Sequence, residues 1–166
     1  MADRTRLLVA HLLGGRARDV VDVLRQVLAS SEIGRIAPHL TLIPPVNVAR
    51  ARVAELSRTL EEAVTTVAPV QLSLSGIATF PPLRHVLYLP VHGDLAQLES
   101  LRDRCRVAEF AAHDERPFVA HVTVKSHASQ ELVASAPSVL GAFECPLTVD
   151  RVAILERDLS SPSGIW

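Results

Sequence analysis

His39-Leu40-Thr41-Leu42 and, 82 positions later, His121-Val122-Thr123-Val124 each set a histidine and a threonine two residues apart in an apolar run. On a β-strand, side chains at i and i+2 share a face, and the residues between them point to the other. Each tetrapeptide therefore presents an imidazole beside a hydroxyl and turns its aliphatic residues into a core. One such strand offers a proton carrier and a hydrogen-bond donor. Two facing strands offer two of each, which suits general acid–base chemistry on a phosphate ester. A single His-x-Thr triplet is more often an ordinary half-buried strand histidine bonded to a neighbouring carbonyl. Here the surroundings favour chemistry. Each motif follows an arginine at similar distance, Arg35 and Arg116, and each occupies the same place in an internal duplication.

Outward from the motifs, the pattern reads strand, helix, strand, helix, strand, and then the same order again. Residues 6–13 form a strand candidate closed by Gly14-Gly15. Residues 19–30 carry a helical stripe of Val20, Val23, Leu24, Val27 and Leu28. The first motif strand, 36–43, is expected to stop at Pro44-Pro45. A helix follows over 49–65, then an alternating strand over 70–80, broken near Gly76 and ended by Pro81-Pro82. The second half opens with a strand over 85–91. Asp94 caps a helix running to about Phe110, with Leu95, Leu98, Leu101 and Cys105 inward. The second motif strand covers 117–126, Ser129 starts a helix to about Leu140 despite Pro137, and 147–155 reads as one strand. Ile165-Trp166 is expected to add a short last strand. The order of elements carries the repeat, since little identity exists outside the motifs. It predicts one domain of two pseudo-repeated α+β lobes, about 1–82 and 83–166, with room for strand exchange between them.

Composition excludes several classes. A chain of 166 residues with 48% hydrophobic and 21% charged residues is an ordinary one-domain protein. A formal net charge of −1 gives no bulk attraction to nucleic acid or membrane, so an RNA substrate would need a local basic cleft. Cys105 and Cys145 form no metal-ligand or Cys-x-x-Cys pattern and read as reduced packing residues. The apolar run 7–13 is short, is interrupted by His11 and reads as a strand, not an export signal. A cytoplasmic monomer without membrane partners is expected.

The chain resembles the two-histidine phosphoesterase superfamily, in particular the bacterial 2′-5′ RNA ligase family. Residues 37–45 (APHLTLIPP) resemble the first motif region, and 116–124 (RPFVAHVTV) the second. Residues 76–91 (GIATFPPLRHVLYLPV) resemble the central hairpin, and AILERD (153–158) with the closing GIW resembles the C-terminal end. Ala120 departs from the pattern, since many relatives carry proline before the second histidine. The resemblance implies a bilobal, pseudo-twofold α+β fold in which two antiparallel sheets line a central cleft with helices outside. It implies metal-independent, cofactor-free work on phosphodiesters, often 2′,3′-cyclic phosphates, of nucleotides or RNA ends. It also maps His39 and His121 as the catalytic pair, with His39 the acid and His121 the base in hydrolysis, roles that exchange in ligation. Thr41 and Thr123 would donate to the phosphoryl oxygens.

Further positions have two readings each. Lys125 shares the strand face of His121 and Thr123 and suits a phosphate, or is a solvated strand end. Arg35, Arg116 and Arg84 suit phosphate, or are surface residues. His11 lines the cleft or is a satisfied core histidine. Tyr88 and Phe118 read as core more than as stacking platforms, and the few aromatics supply base stacking thinly. No partner is named for His85, His92, His113 or His127. Two other functions compete: a non-catalytic nucleotide or RNA-end binding module with the same cleft, and a metal-dependent hydrolase. The second lacks a His-Glu-x-x-His motif or carboxylate cluster.

Overall fold

The computed structural model describes residues 3–80, 85–111, 116–162 and 164–166. Pro81-Pro82, Arg84 and His113 lie outside them. The strands are β1 (Arg4–Leu12), β2 (His39–Ala49), β3 (Val70–Ser75), β4 (Ala78–Thr79), β5 (Leu87–Gly93), β6 (His121–Lys125), β7 (Glu144–Val149) and β8 (Ala153–Glu156). The helices are α1 (Gly15–Val27), α2 (Val53–Val64), α3 (Leu95–Cys105) and α4 (Gln130–Leu140). Two antiparallel sheets result. One has the order β2-β1-β8. In the other, β5 carries β6 on one edge and β3 and β4 on the opposite edge, with β7 beyond β3.

The apolar run at the start of the chain becomes the middle strand of the first sheet, covered on both faces. Leu7 and Val9 enter the main core, while Leu8 and Ala10 join a smaller cluster with Ile36, Leu155 and Trp166. A strand buried on both sides needs no polar alternation. The two motif strands alternate instead. Leu40, Leu42, Val122 and Val124 are at most 1% exposed, and the histidines and threonines between them are half-buried.

Several boundaries differ from the sequence expectation for identifiable reasons. β2 does not stop at Pro44-Pro45 but runs on to Ala49. Its pairing with β1 slips there, from Val9↔Ile43 to Leu7↔Val46, so both prolines sit in a bulge of an edge strand where no ladder N–H is demanded. The expected single strand over 147–155 is two strands in different sheets: β7 pairs β3, β8 pairs β1, and the chain crosses between sheets at 150–152. Ile165-Trp166 adds no strand, and the Trp166 N–H donates instead to the Arg35 carbonyl at 2.9 Å. α3 ends at Cys105, and Ala108, at φ 44°, redirects the chain into a 3₁₀ turn that buries Phe110.

The stripe on α1 is also rotated from its expected position. Ala17, Val21 and Arg25, spaced four apart, are the buried residues, while Val23 and Val27 are 56% and 76% exposed. A charged member on the inward face hides that face from a search for apolar periodicity. The helix closes with Ala29 in the left-handed region at φ 47°. The Ser30 N–H reaches the Arg25 carbonyl and the Ala29 N–H that of Gln26, a Schellman closure without its usual glycine.

Phe110, 1% exposed, is the largest apolar side chain fully enclosed among the described residues. Phe110→Ala is expected to cost about 3–5 kcal/mol through lost transfer energy and the cavity left behind. A urea denaturation midpoint checks this, and a change under about 1 kcal/mol contradicts the packing described.

Candidate active site

Each motif strand lies on the outer edge of its own sheet, β2 beside β1 and β6 beside β5, and β2 packs against β6. The two seams are built alike. Leu12 pairs with His39 and Ala10 with Thr41, while Pro90 pairs with His121 and Tyr88 with Thr123. The residue before each histidine accepts a matching bond: the Leu13 N–H donates to the Pro38 carbonyl, and the Val91 N–H to the Ala120 carbonyl. The fold thus brings together two edges that the sequence holds 82 positions apart.

The imidazoles are held by the same local device. His39 Nδ1 lies 2.9 Å from the Ala37 carbonyl, and His121 Nδ1 lies 2.7 Å from the Val119 carbonyl. A carbonyl only accepts, so Nδ1 carries the proton in both rings, and Nε2 is the basic nitrogen left for chemistry. Pro38 keeps Ala37 extended and so helps to fix the first carbonyl. In the second motif Ala120 takes that place, and the bond forms without proline's help.

The surroundings of the two rings differ. Burial, the largest effect, pushes His39 below its ordinary titration range. The Ala37 carbonyl opposes this, the Arg25 charge adds to it, Glu32 opposes it and the charge of His121 adds to it. The two rings therefore sense one another. His121 is also pushed down by burial, against the pull of the Val119 carbonyl. Its neighbours are aromatic: Phe80 and Tyr88 stack at 4.4 Å, and their ring centroids lie 5.0 and 5.2 Å from that of His121. Ala10 occupies the position equivalent to Tyr88 in the other half, so the duplication is unequal here.

A cleft of about 650 Å³ opens at this seam, within the range of small-ligand sites. Thr41, His121, Thr123 and Arg116 line it, together with Phe80, Arg102 and Phe118. His39 shares the strand face of Thr41. Neither threonine hydroxyl is bonded within the fold among the described residues, so both are available to a ligand.

Three expected site residues are placed elsewhere. The Lys125 ammonium donates to the Leu28 and Ala29 carbonyls at 2.8 and 2.9 Å, where it neutralises the C-terminal end of α1 and does not face the cleft. His11, 2% exposed, has its Nδ1 2.9 Å from the Arg151 carbonyl and pins the crossing between sheets, a satisfied core histidine. Arg35 lines a separate cavity of about 310 Å³ beside Arg18 and Trp166, 4.0 Å from Glu32. Tyr88 is buried as expected but packs against a site histidine, and Phe118 lines the cleft beneath the Arg102 guanidinium. His85 Nδ1 lies 3.0 Å from the Ala128 carbonyl.

Sequence reading missed Arg102, Phe80 and Arg25. Arg102 Nε donates to the Leu42 carbonyl of β2 and its charge sits 4.6 Å from the Phe118 ring centre. Phe80 gave no signal beyond its place at the end of the broken strand over 70–80. Arg25 is 1% exposed; its Nη1 donates to the Ile36 carbonyl at 2.8 Å, and its Nε and Nη2 to the Thr123 carbonyl at 3.3 and 3.0 Å. Its detectable signal was phase, four residues after Val21 and eight after Ala17.

Comparison with known proteins agrees with this fold. The model of the 2′-5′ RNA ligase superfamily matches residues 15–160. A protein of Bacillus pumilus (strain SAFR-032) named "Putative phosphoesterase" is 30% identical over 136 residues, which span 79% of this chain and 75% of that protein. The crystal structure of E. coli LigT complexed with 3′-AMP superposes with a TM-score of 0.69 at 20% identity, covering 96% of this chain and 91% of that one. The crystal structure of TT0787 of Thermus thermophilus superposes with a TM-score of 0.58 at 19% identity, covering 96% and 91%. At these identities the structures establish a common LigT-like α+β fold.

Proposed function

The chain belongs to the 2′-5′ RNA ligase superfamily of phosphoesterases, and from that premise we propose that it is a metal-independent phosphodiesterase acting on 2′,3′-cyclic or 2′-5′ phosphodiesters of nucleotides or RNA ends. The observation that carries this reading is the matched pair of imidazoles, each with Nδ1 tied to a carbonyl and Nε2 left basic, His121 lining the cleft and His39 on the strand face of Thr41, which also lines it. One neutral ring takes a proton from water, and the other, protonated, delivers one to the leaving sugar oxygen. Water then forms the new P–O bond as the bond to that sugar oxygen breaks. In hydrolysis His121 is the base and His39 the acid; microscopic reversibility exchanges them for ligation. The Thr41 and Thr123 hydroxyls donate to the non-bridging oxygens as charge develops there. Nucleotides are supported as ligands because structures of the similar LigT carry 3′-AMP, NADP+ and ATP. A cytoplasmic address is supported by the two free, buried cysteines, and no described helix is long and apolar enough to cross a membrane.

The test is turnover of 2′,3′-cyclic mononucleotides and of a short RNA with a cyclic end, in EDTA, across pH. Burial holds both imidazoles below the ordinary value of about 6.5. The acid must be protonated, so its active fraction is lost as pH rises through that lowered value. We expect kcat/KM to be bell-shaped with its maximum below about pH 6.5. A bound phosphate stabilises imidazolium, so the alkaline limb of kcat moves up relative to that of kcat/KM. Turnover abolished by EDTA, or a kcat/KM that rises steadily to about pH 8, contradicts the reading. Absence of turnover on every cyclic phosphate favours the binding module with the same cleft.

A further inference from the structure

Arg25 heads the fully buried side chains by size, and it is charged. Burying a guanidinium is costly unless its donors are met. An apolar residue like Ala17 and Val21 on the same helix face would pack without that cost. Burial lowers its proton affinity, while Glu32 and Asp22 raise it, and guanidinium stays charged throughout the working range. What the charge and its donors reach is specific. Two bonds go to the Thr123 carbonyl, inside the second motif, and one goes to the Ile36 carbonyl, three residues before His39.

We propose that Arg25 is a positioning residue of the two-histidine site, fastening β6 at Thr123 and the segment entering β2 at Ile36 to one guanidinium and so setting the separation of the two imidazoles. This rests on the function proposed above. Two neighbouring ties fasten the same seam. Ser126, just after β6, donates to Glu32 at 2.7 Å, and Lys125 donates to the end of α1. Those ties join the end of β6 to residues 28–32, early in the connection between α1 and β2, whereas Arg25 joins Thr123 inside the second motif to Ile36, at the entry to β2. The planar fork of arginine satisfies two carbonyls at once, which a lysine ammonium on a flexible stem does not reproduce. A misplacement of about 1 Å costs on the order of 10²-fold in rate. Among the described residues, the charged and titratable groups acting on His39 are Arg25, Glu32 and His121. Burial and the Val119 carbonyl govern His121.

The experiment uses the full chain with Arg25→Lys and Arg25→Met, with turnover of a 2′,3′-cyclic mononucleotide and imidazole titration by NMR as readouts. Arg25→Lys is expected to lower kcat about 10–100-fold with KM within about threefold. In Arg25→Met, His39 is expected to titrate at higher pH than in the wild type. An unchanged kcat in Arg25→Lys, or a loss confined to KM, overturns the proposal. If the wild type turns over no cyclic phosphate, the functional reading fails and the titration alone decides: a His39 that does not move overturns the role of Arg25. Arg25→Gln takes the place of Arg25→Met in the titration if the latter does not fold.

Discussion

His121→Ala and His39→Ala are each expected to lower turnover of a 2′,3′-cyclic mononucleotide by about 10²–10⁴-fold, the range for loss of a general acid or base. In the proposed mechanism each imidazole moves a proton that no neighbour among the described residues is placed to move. Around His121 the nearest rings are Phe80 and Tyr88, and Tyr88 is a poorer acid still, because burial raises its hydroxyl above the ordinary range. Around His39 the ionisable groups among the described residues, besides His121 itself, are Arg25 and Glu32, and both are engaged in holding the seam. The fold is expected to survive either change, since the one hydrogen bond of each ring among the described residues is local, to a carbonyl two residues back. A thermal melt of each variant therefore stays close to the wild type. Full retention of turnover in either variant would sink the mechanism.

Thr123→Val and Thr41→Val separate rate from stability in a different way. Valine keeps the shape of threonine and removes only the hydroxyl. In both strands that hydroxyl has no bond within the fold among the described residues, and both side chains line the cleft. Its loss therefore leaves no buried partner unsatisfied, and stability is expected to change by no more than about 0.5 kcal/mol. If the hydroxyls donate to phosphoryl oxygens as charge builds, kcat falls on the order of 10²–10³-fold for each. The two losses need not be equal, because the neighbouring strand offers Tyr88 at Thr123 and Ala10 at Thr41. A variant with reduced stability and normal kcat would mean that the threonines are structural.

The motif strands and their faces were legible because the signal is local. Alternation with period two fixes which side chains share a face, and the structure keeps His39 with Thr41 and His121 with Thr123 on the half-buried side. Capping was legible for the same reason: Asp94 accepts from the Gln97 N–H and Ser129 from the Leu132 N–H. What escaped was set by tertiary partners. Pro44-Pro45 reads as a stop, yet an edge position with a bulge lets β2 continue. Nothing local marks the crossing at 150–152, because both flanking segments are good strands that pair with different partners. Lys125 has the correct face for the cleft, but the end of α1 claims its ammonium. Arg25 was invisible because apolar periodicity assigns charged residues to the outside. A basic residue in phase with a buried stripe is the signal that would have found it.

The most direct test of the central claim, that two histidines far apart in sequence form one catalytic unit, compares kcat/KM in EDTA for the wild type, His39→Ala, His121→Ala and the double variant. Residues that act as a unit are strongly non-additive. The structure predicts a double variant no more than a few-fold worse than the more damaged single one. Losses that multiply, so that the double variant falls by the product of the two single effects, would show two independent contributions and contradict a two-histidine acid–base pair.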